Sequence, residues 1–162
     1  MPNVIIRDEP DRLVAALAHR GAYSAITTSF AEAGRLMAEA RAMDAAVAMV
    51  ALYHDNPDHV AEADLRAHAG FILKPGRHAP RGMETIRLEA GRYAICRHEG
   101  PYEGLAETYR WLLGEWQAES GEEYNGGTLY EVYENTPDTV PADRLVTTIH
   151  LPLEDEDFNG PV

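Results

Sequence analysis

The chain has 162 residues, of which 45% are hydrophobic and 25% charged, a composition typical of a folded soluble domain and too apolar for a disordered one. The net charge of −13 is concentrated after residue 114, where twelve acidic side chains accompany one base, Arg144; this field repels a phosphate backbone and argues against direct nucleic-acid binding. A single cysteine, Cys96, excludes an internal disulfide, and the longest apolar run, 45–53, is far shorter than a membrane helix of ~20 residues, so we expect a cytoplasmic protein.

Taken in chain order, segments rich in β-branched, aromatic and small apolar residues alternate with helical patterns and turns. The first half carries predicted strands at 12–18, 45–54 and 65–73, with a helix between the first two. A loop rich in proline and glycine follows at 74–83. The second half carries predicted strands at 92–98, 127–134 and 145–153, again with a helix between the first two. Each half therefore has the order strand, helix, strand, strand.

Two motifs of the first half return in the second half at a nearly constant spacing. His19-Arg20-Gly21-Ala22-Tyr23 returns as His98-Glu99-Gly100-Pro101-Tyr102, and the segment from Tyr53 to Asp58 returns as the segment from Tyr133 to Asp138. The helical stripes match as well, because Ile26, Phe30, Ala33 and Met37 correspond to Leu105, Tyr109, Leu112 and Trp116. We therefore predict an α+β fold of two tandem duplicated β-α-β-β units (SHS2-like), which form one domain with a central ligand groove.

The boundaries of the repeats follow from the same pattern. Repeat one is expected at about 1–73, the linker at 74–83 and repeat two at about 84–153, within a single domain that covers 1–162. Pro101 predicts the entrance of the second helix and Ser120-Gly121 its end. Residues 154–162 begin with four consecutive acidic side chains and are expected to form a solvated tail.

Glu131 is the sharpest departure from the repeat, because its counterpart in the first half is Ala51. On a strand, Glu131 shares one face with Leu129 and Tyr133. A carboxylate among such neighbours lies either at an exposed strand margin or in a cavity, where burial raises its pKa and aromatic faces favour an organic cation. We interpret Glu131 as a cavity residue and as the main ligand-binding candidate.

Five aromatic residues complete the predicted ligand-binding set. Tyr23 and Tyr102 stand at equivalent turns, where a purely structural role is also open. Trp111 lies off the buried helical stripe, so it either packs on the other unit or is partly exposed. Tyr133 and Phe71 join the set from the predicted strands.

The histidines and the cysteine are assigned structural roles. His19 and His98 each precede a glycine by two positions at a strand end, which favours turn structure over catalysis. Cys96 shares a strand face with His98 but is interpreted as inert core. The other histidines show no metal-ligand spacing, so we predict no metal and no cofactor.

Several of these segments together resemble the GyrI-like small-molecule-binding superfamily. They are His98 to Tyr102 with the helix after it, Leu129-Tyr130-Glu131-Val132-Tyr133-Glu134-Asn135, Leu145 to Leu153 and, in the first half, Leu52 to Asp58. The resemblance implies two β-α-β-β units around a central pocket, as in gyrase inhibitory proteins, hydrolases of cyclopropane-bearing toxins and the C-terminal domains of AraC- and MerR-type drug-sensing regulators. The family's pocket glutamate corresponds to Glu131, with Tyr133 beside it.

Three functions stay open at this point. The repeat begins almost at Met1, so we expect no helix-turn-helix head and no transcription control by direct DNA contact. We rank first a stand-alone binding protein for amphipathic, cationic or drug-like molecules, and second a hydrolase of strained cyclopropane-bearing electrophiles with Glu131 as its catalytic residue. Third is a DNA gyrase inhibitor that acts by protein contact. The expected partners are a small molecule and either gyrase or a separate regulator, and no membrane.

Overall fold

The structure, a computed structural model, describes residues 2–155. This range holds eight strands: β1 (Asn3–Glu9), β2 (Arg12–Arg20), β3 (Ala46–Tyr53), β4 (Arg66–Leu73), β5 (Glu84–Leu88), β6 (Gly91–Glu99), β7 (Leu129–Tyr133) and β8 (Val146–Pro152). Helix α1 (Thr27–Glu39) follows β2. After β6, the second helix consists of α2 (Leu105–Trp111), a π-helical turn (Leu112–Trp116) and α3 (Gln117–Ser120). Most of the predicted acidic tail lies outside the described residues.

These elements confirm the predicted α+β fold and its duplication. The eight strands form one antiparallel sheet in the order β1-β6-β8-β7-β3-β4-β2-β5. Gly121 has a φ of 77°, a left-handed conformation that glycine adopts without strain, and it ends the second helix where the sequence predicts. Among residues 2–155, no helix is both long and apolar enough to span a bilayer.

Each unit also begins with a strand that the sequence pattern does not predict, so the order strand, helix, strand, strand is incomplete. β1 pairs with β6 of the second unit, and β5 pairs with β2 of the first unit. Both new strands lie at the edges of the sheet, and most β1 side chains are exposed, so β1 lacks the alternation that marks a half-buried strand. This exchange of edge strands ties the two units into one sheet.

The two units also meet at β3 and β7, the central pair of the sheet. Across this pair Ala51 lies opposite Glu131, Met49 lies opposite Tyr133, and Tyr53 lies opposite Leu129. In the repeat, Met49 corresponds to Leu129 and Tyr53 corresponds to Tyr133. The rotation that superposes one unit on the other therefore exchanges the pairs Met49–Tyr133 and Tyr53–Leu129. It maps the pair Ala51–Glu131 onto itself. The pseudo-two-fold axis of the duplication therefore passes between Ala51 and Glu131.

Both helices cover the same face of the sheet, one over each unit. α1 packs Met37 near Phe71, and the second helix packs Leu112 near Cys96 and Ile149. Between them lies a small buried cluster around Ala51, with four aromatic residues packed against it: Tyr23, Phe30, Tyr53 and Tyr133. The seam between the two helices is therefore lined by aromatic rings.

The opposite face of the sheet holds a buried cluster that spans both units and includes Leu52, Tyr93 and Tyr130. No described helix covers this face, so its burial requires the sheet to curl until its two halves meet. The turns that join β1 to β2 and β5 to β6 meet in this way, since the Ala90 N–H donates to Asp11 Oδ1 across 2.6 Å. The molecule thus has one face under helices and one face enclosed by its own sheet.

Candidate functional site

Glu131 lies in the middle of β7, on the helix-covered face of the sheet and beside the pseudo-two-fold axis. Its side chain is buried, and the residue is only 5% exposed. Alternation along β7 places Tyr130 and Val132 in the cluster of the opposite face, which leaves Glu131 in the seam between the helices. Glu131 therefore lies in a buried setting and not at an exposed strand margin.

Two tyrosine hydroxyls occupy both oxygens of the Glu131 carboxylate. Tyr109, on the second helix, donates to Oε2 across 2.6 Å. Tyr133, two positions along β7, donates to Oε1 across 2.7 Å. Such short O–H···O contacts are typical of hydrogen bonds to an ionised acceptor. A helix and a strand of the second unit therefore hold the carboxylate in one orientation.

Burial raises the pKa of Glu131 above its ordinary value, while the hydrogen bonds from Tyr109 and Tyr133 and the nearby His98 oppose that rise. Burial and the adjacent Glu131 raise the pKa of the Tyr109 and Tyr133 hydroxyls well above 10. Both phenols therefore keep their protons and remain donors at neutral pH. The site therefore holds a carboxylate whose ionisation is opposed by burial and whose two hydrogen-bond partners are neutral.

Aromatic rings enclose this carboxylate from both units. The Tyr53 hydroxyl lies 3.5 Å from that of Tyr133, and the Phe30 ring stands edge-on to Tyr133 with the centroids 5.6 Å apart. Tyr102 approaches Tyr133 at 5.8 Å, and Tyr23 approaches Tyr53 at 4.7 Å. The faces of such rings carry negative charge density and attract an organic cation.

Tyr23 and Tyr102, the two predicted turn tyrosines, both reach this seam but differ in how they are held. The Tyr23 hydroxyl lies 2.8 Å from the Arg66 carbonyl and 3.0 Å from the Asp55 carbonyl. The Tyr102 hydroxyl makes no hydrogen bond to any residue in 2–155. Tyr23 therefore anchors the loop between β3 and β4, while Tyr102 is free of such a constraint.

Phe71 and Trp111, also in the predicted set, lie away from Glu131. Phe71 is buried beneath α1, in the cluster that contains Met37. Trp111 is partly exposed; it packs with Val4 of β1 against the cluster that contains Leu112, and it lines an open groove of about 660 Å³ that also includes Pro2, Arg97 and His98. The structure thus brings together Glu131, Tyr133, Tyr102 and Tyr23, and separates the other two.

His19 and His98 occupy equivalent places, as the turn interpretation expects. His98 Nε2 donates to the Pro101 carbonyl across 3.1 Å, and its Nδ1 lies 2.8 Å from Thr108 Oγ1. His19 makes the matching pair with the Ala22 carbonyl and Ser29 Oγ. Each ring ties a strand end to the turn and helix that follow.

Cys96 is fully buried, and burial raises the pKa of its thiol to about 11. A thiol with such a pKa holds little thiolate at neutral pH, so its reactivity is low. Among residues 2–155, no group of three or more His, Cys, Asp or Glu side chains is arranged to bind a metal ion.

Three residues of the seam were not predicted from the sequence: Tyr109, Tyr53 and Phe30. The helical pattern places Tyr109 and Phe30 at equivalent positions of the two buried stripes. Their side chains differ by one hydroxyl, and in Tyr109 that hydroxyl donates to Glu131. Comparison of equivalent positions in the two repeats, which identifies Glu131 by its contrast with Ala51, would also identify Tyr109 by its contrast with Phe30. Tyr53 is the first-unit counterpart of Tyr133.

Known proteins share this architecture. The probable transcriptional regulator YgiV of Escherichia coli (strain K12) is 29% identical over 84 residues, which are 52% of this chain and 52% of that protein, so the match spans about half the length of this relative. The crystal structure of the EcmrR C-terminal domain superposes with a TM-score of 0.74 at 17% identity, over 95% of this chain and 98% of that one. The structure of SAV2435 bound to tetraphenylphosphonium superposes with a TM-score of 0.61 at 12% identity, over 94% of each chain.

At these identities the two superpositions establish a shared fold. The family model described as the GyrI-like small molecule binding domain matches residues 2–154. The match covers both units, all eight strands and the seam that contains Glu131. The chain therefore belongs to the GyrI-like small molecule binding domain family.

Proposed function

We propose that this chain binds amphipathic organic cations in the seam between its two units, with Glu131 as the charged contact. The observation that carries the proposal is the buried position of Glu131 on the pseudo-two-fold axis, opposite Ala51. The first unit fills the equivalent place with a methyl group, so the fold itself does not need a carboxylate there. A buried ionisable group without a structural need is a strong candidate for a functional one.

The charge of the ligand follows from the surroundings of the carboxylate. The described hydrogen-bond partners of Glu131, Tyr109 and Tyr133, are both neutral, and burial of an unpaired charge is costly. A bound cation supplies the missing countercharge, and the rings of Phe30, Tyr102 and Tyr133 add cation–π attraction. The excess of acidic residues in the second half favours the approach of a cation as well.

The aromatic rings close over Glu131, so a ligand must displace at least one of them. Tyr102 is the best candidate, because its hydroxyl has no hydrogen-bond partner in the part of the chain that the structure describes. Tyr23, in contrast, is fixed through the carbonyls of Asp55 and Arg66. We therefore expect entry on the side of the second unit, with Tyr102 as the ring that moves.

The test is calorimetric titration of tetraphenylphosphonium, the cation bound to SAV2435, into wild type, Glu131→Gln and Glu134→Gln. Glu134 is exposed and bonds to Thr148 on the other side of β7, so Glu134→Gln is a matched control for loss of one carboxylate. We expect Glu131→Gln to weaken binding at least about tenfold, or about 1.4 kcal/mol, and the control to bind like wild type. Equal affinity of wild type and Glu131→Gln would exclude the proposed role.

Two further ligands test the proposal: a neutral one tests the role of charge, and a reactive one distinguishes binding from hydrolysis. Triphenylphosphine oxide has a similar shape but no net charge, so we expect it to bind wild type and Glu131→Gln equally. The hydrolase alternative uses the same carboxylate, and turnover of a cyclopropane-bearing alkylator, measured beside its binding, distinguishes the two functions.

A further inference from the structure

The opposite face of the sheet carries a second group of polar residues that the cation site does not use. His54 directly follows β3 and, by strand alternation, points to the same side as Leu52, away from Ala51 and Glu131. It lines a cavity of about 350 Å³ inside the curl of the sheet, together with Leu52, Leu88, Tyr93 and Thr128. This cavity and the Glu131 seam are separated by the sheet.

Four side chains form a continuous hydrogen-bonded chain at this cavity. Glu84 Oε2 lies 2.8 Å from His68 Nε2, and His68 Nδ1 lies 2.8 Å from His54 Nε2. His54 Nδ1 lies 3.2 Å from Thr128 Oγ1. An ionised carboxylate can only accept, so with both rings neutral each imidazole donates toward Glu84 through Nε2 and accepts through Nδ1. The Thr128 hydroxyl then donates to His54.

An activated hydroxyl needs a base that accepts its proton and a carboxylate that orients the base. The direction of these hydrogen bonds meets both needs, because the Thr128 hydroxyl donates to His54, and His54 is oriented through His68 by Glu84. We propose that this cavity is a hydrolytic site for small apolar carboxylic esters. Thr128 and His54 are its catalytic residues, and His68 and Glu84 position His54. The proposal is independent of Glu131 and of cation binding.

The repeat shows that the fold does not need these residues. The second-unit counterparts of His54 and His68 are Glu134 and Thr148, and Thr148 Oγ1 donates to Glu134 Oε1 across 2.8 Å. The second unit therefore links the two equivalent strands, β7 and β8, with an ordinary hydrogen bond. The counterpart of Thr128 is Ala48, which has no hydroxyl. The complete hydrogen-bonded chain joins both units, with His54 and His68 from the first and Glu84 and Thr128 from the second, and residues 2–155 hold no symmetry-related copy of it.

The cavity and the state of His54 suit this chemistry. Leu52, Leu88 and Tyr93 form an apolar wall, polar residues such as Arg87, Glu89 and Asn125 line the rest of the cavity, and its volume accommodates a small acyl or aryl group. Burial, and then the neighbouring His68 and Arg66, lower the pKa of His54 below its ordinary value. The imidazole is therefore neutral at neutral pH and is available as a base.

The reaction balances without any further group. Thr128 Oγ adds to the ester carbonyl carbon while its proton passes to His54 Nδ1. The tetrahedral intermediate expels the alcohol, which takes that proton, and leaves an acyl-threonine. Water then loses a proton to His54 and attacks the acyl carbon; the carboxylic acid departs, and the proton returns to Thr128 Oγ. Glu84, through His68, stabilises the positive charge that His54 carries in each step.

The test measures hydrolysis of p-nitrophenyl acetate by the intact chain. We expect saturation kinetics, and an acetyl group on Thr128 when the reaction is quenched with acid and the peptides are analysed by mass spectrometry. Thr128→Val and His54→Gln should lose this acetyl group and lower kcat/KM by about 10²–10⁴-fold. Thermal unfolding of each variant verifies that it is folded.

Glu84→Gln keeps the test valid if the other variants do not fold, because the Glu84 side chain is 58% exposed. We expect it to lower kcat about tenfold and to leave KM unchanged, since the charge on His54 forms only during the reaction. Glu134→Gln, which removes the carboxylate charge at the position equivalent to His54 in the second unit, should keep the wild-type rate. The absence of turnover, equal kcat/KM in wild type, His54→Gln and Glu84→Gln, or acetylation at residues other than Thr128 would each overturn the proposal.

Discussion

Replacement of Tyr109 by Phe removes one of the two hydroxyls that hold the Glu131 carboxylate, and its effect on stability should depend on pH. The lost bond is 2.6 Å long and ends on a buried acceptor. A hydrogen bond to a charged group contributes about 1.5–3 kcal/mol, and one to a neutral group about 0.5–1.5 kcal/mol. The variant should therefore lose about 1.5–3 kcal/mol where Glu131 is ionised and about 0.5–1.5 kcal/mol where it is protonated.

The sign follows from proton linkage. The pKa of Glu131 is raised in the folded chain above its ordinary value of 4.5, so between these two pKa values the folded state holds a proton that the unfolded state has lost. The contribution of Glu131 to the free energy of unfolding is then greatest below the unfolded pKa and is lost as the pH rises through the folded pKa. Loss of the Tyr109 bond raises the folded pKa further, so this loss becomes larger.

Urea unfolding of wild type and Tyr109→Phe at about pH 4 and about pH 9 measures this difference. Tyr93→Phe is the matched control, because the Tyr93 hydroxyl donates to the neutral carbonyl of Glu89 across 2.8 Å. It should lose about 0.5–1.5 kcal/mol at both pH values. The reasoning is refuted if the loss in Tyr109→Phe is the same at both pH values, or is larger in acid.

Three further predictions concern the same structure. Glu131→Gln removes the titrating group, so the difference in free energy of unfolding between the variant and wild type should shift in favour of the variant as the pH rises, as urea unfolding over the same pH range will measure; a difference that does not change with pH would contradict the raised pKa of Glu131. Gly70→Ala places a Cβ 1.8 Å from the Ala15 carbonyl oxygen, across the β2–β4 pair, so we expect a loss of about 3 kcal/mol or more in urea, and a stability equal to wild type would contradict this packing. The Cys96 thiol should not react with a disulfide reagent at neutral pH until denaturant is added, and rapid labelling of the native chain would show that it is accessible.

Much of the fold could be predicted because the relevant signals are local. The helical stripe from Ile26 to Met37 and its copy from Leu105 to Trp116 each reflect packing of one helix on its own unit. Strands β2, β3, β4, β6, β7 and β8 carry apolar segments that are recognisable one at a time. Edge strands β1 and β5 could not be predicted in this way, because most of their side chains are exposed and so carry no strong pattern of apolar residues.

The candidate site divides in the same way. The sequence identified Glu131 because the duplication supplies Ala51 as a comparison, and it identified Tyr133 because alternation on a strand puts both on one face. It could not place Phe71 or Trp111 relative to Glu131, since the position of Phe71 depends on strand order and register and that of Trp111 on how the second helix crosses the sheet. Both lie in clusters apart from the seam.

The sequence alone determined that the chain is a duplicated α+β protein, and that one copy carries a glutamate where the other carries an alanine. Only the tertiary structure placed that glutamate on the pseudo-two-fold axis under Tyr109, and aligned Thr128, His54, His68 and Glu84 on the other face. The physical reason is that repeats and periodicity are properties of neighbouring residues. Sites of this kind arise from strand register and sheet curl, which join residues far apart in the chain.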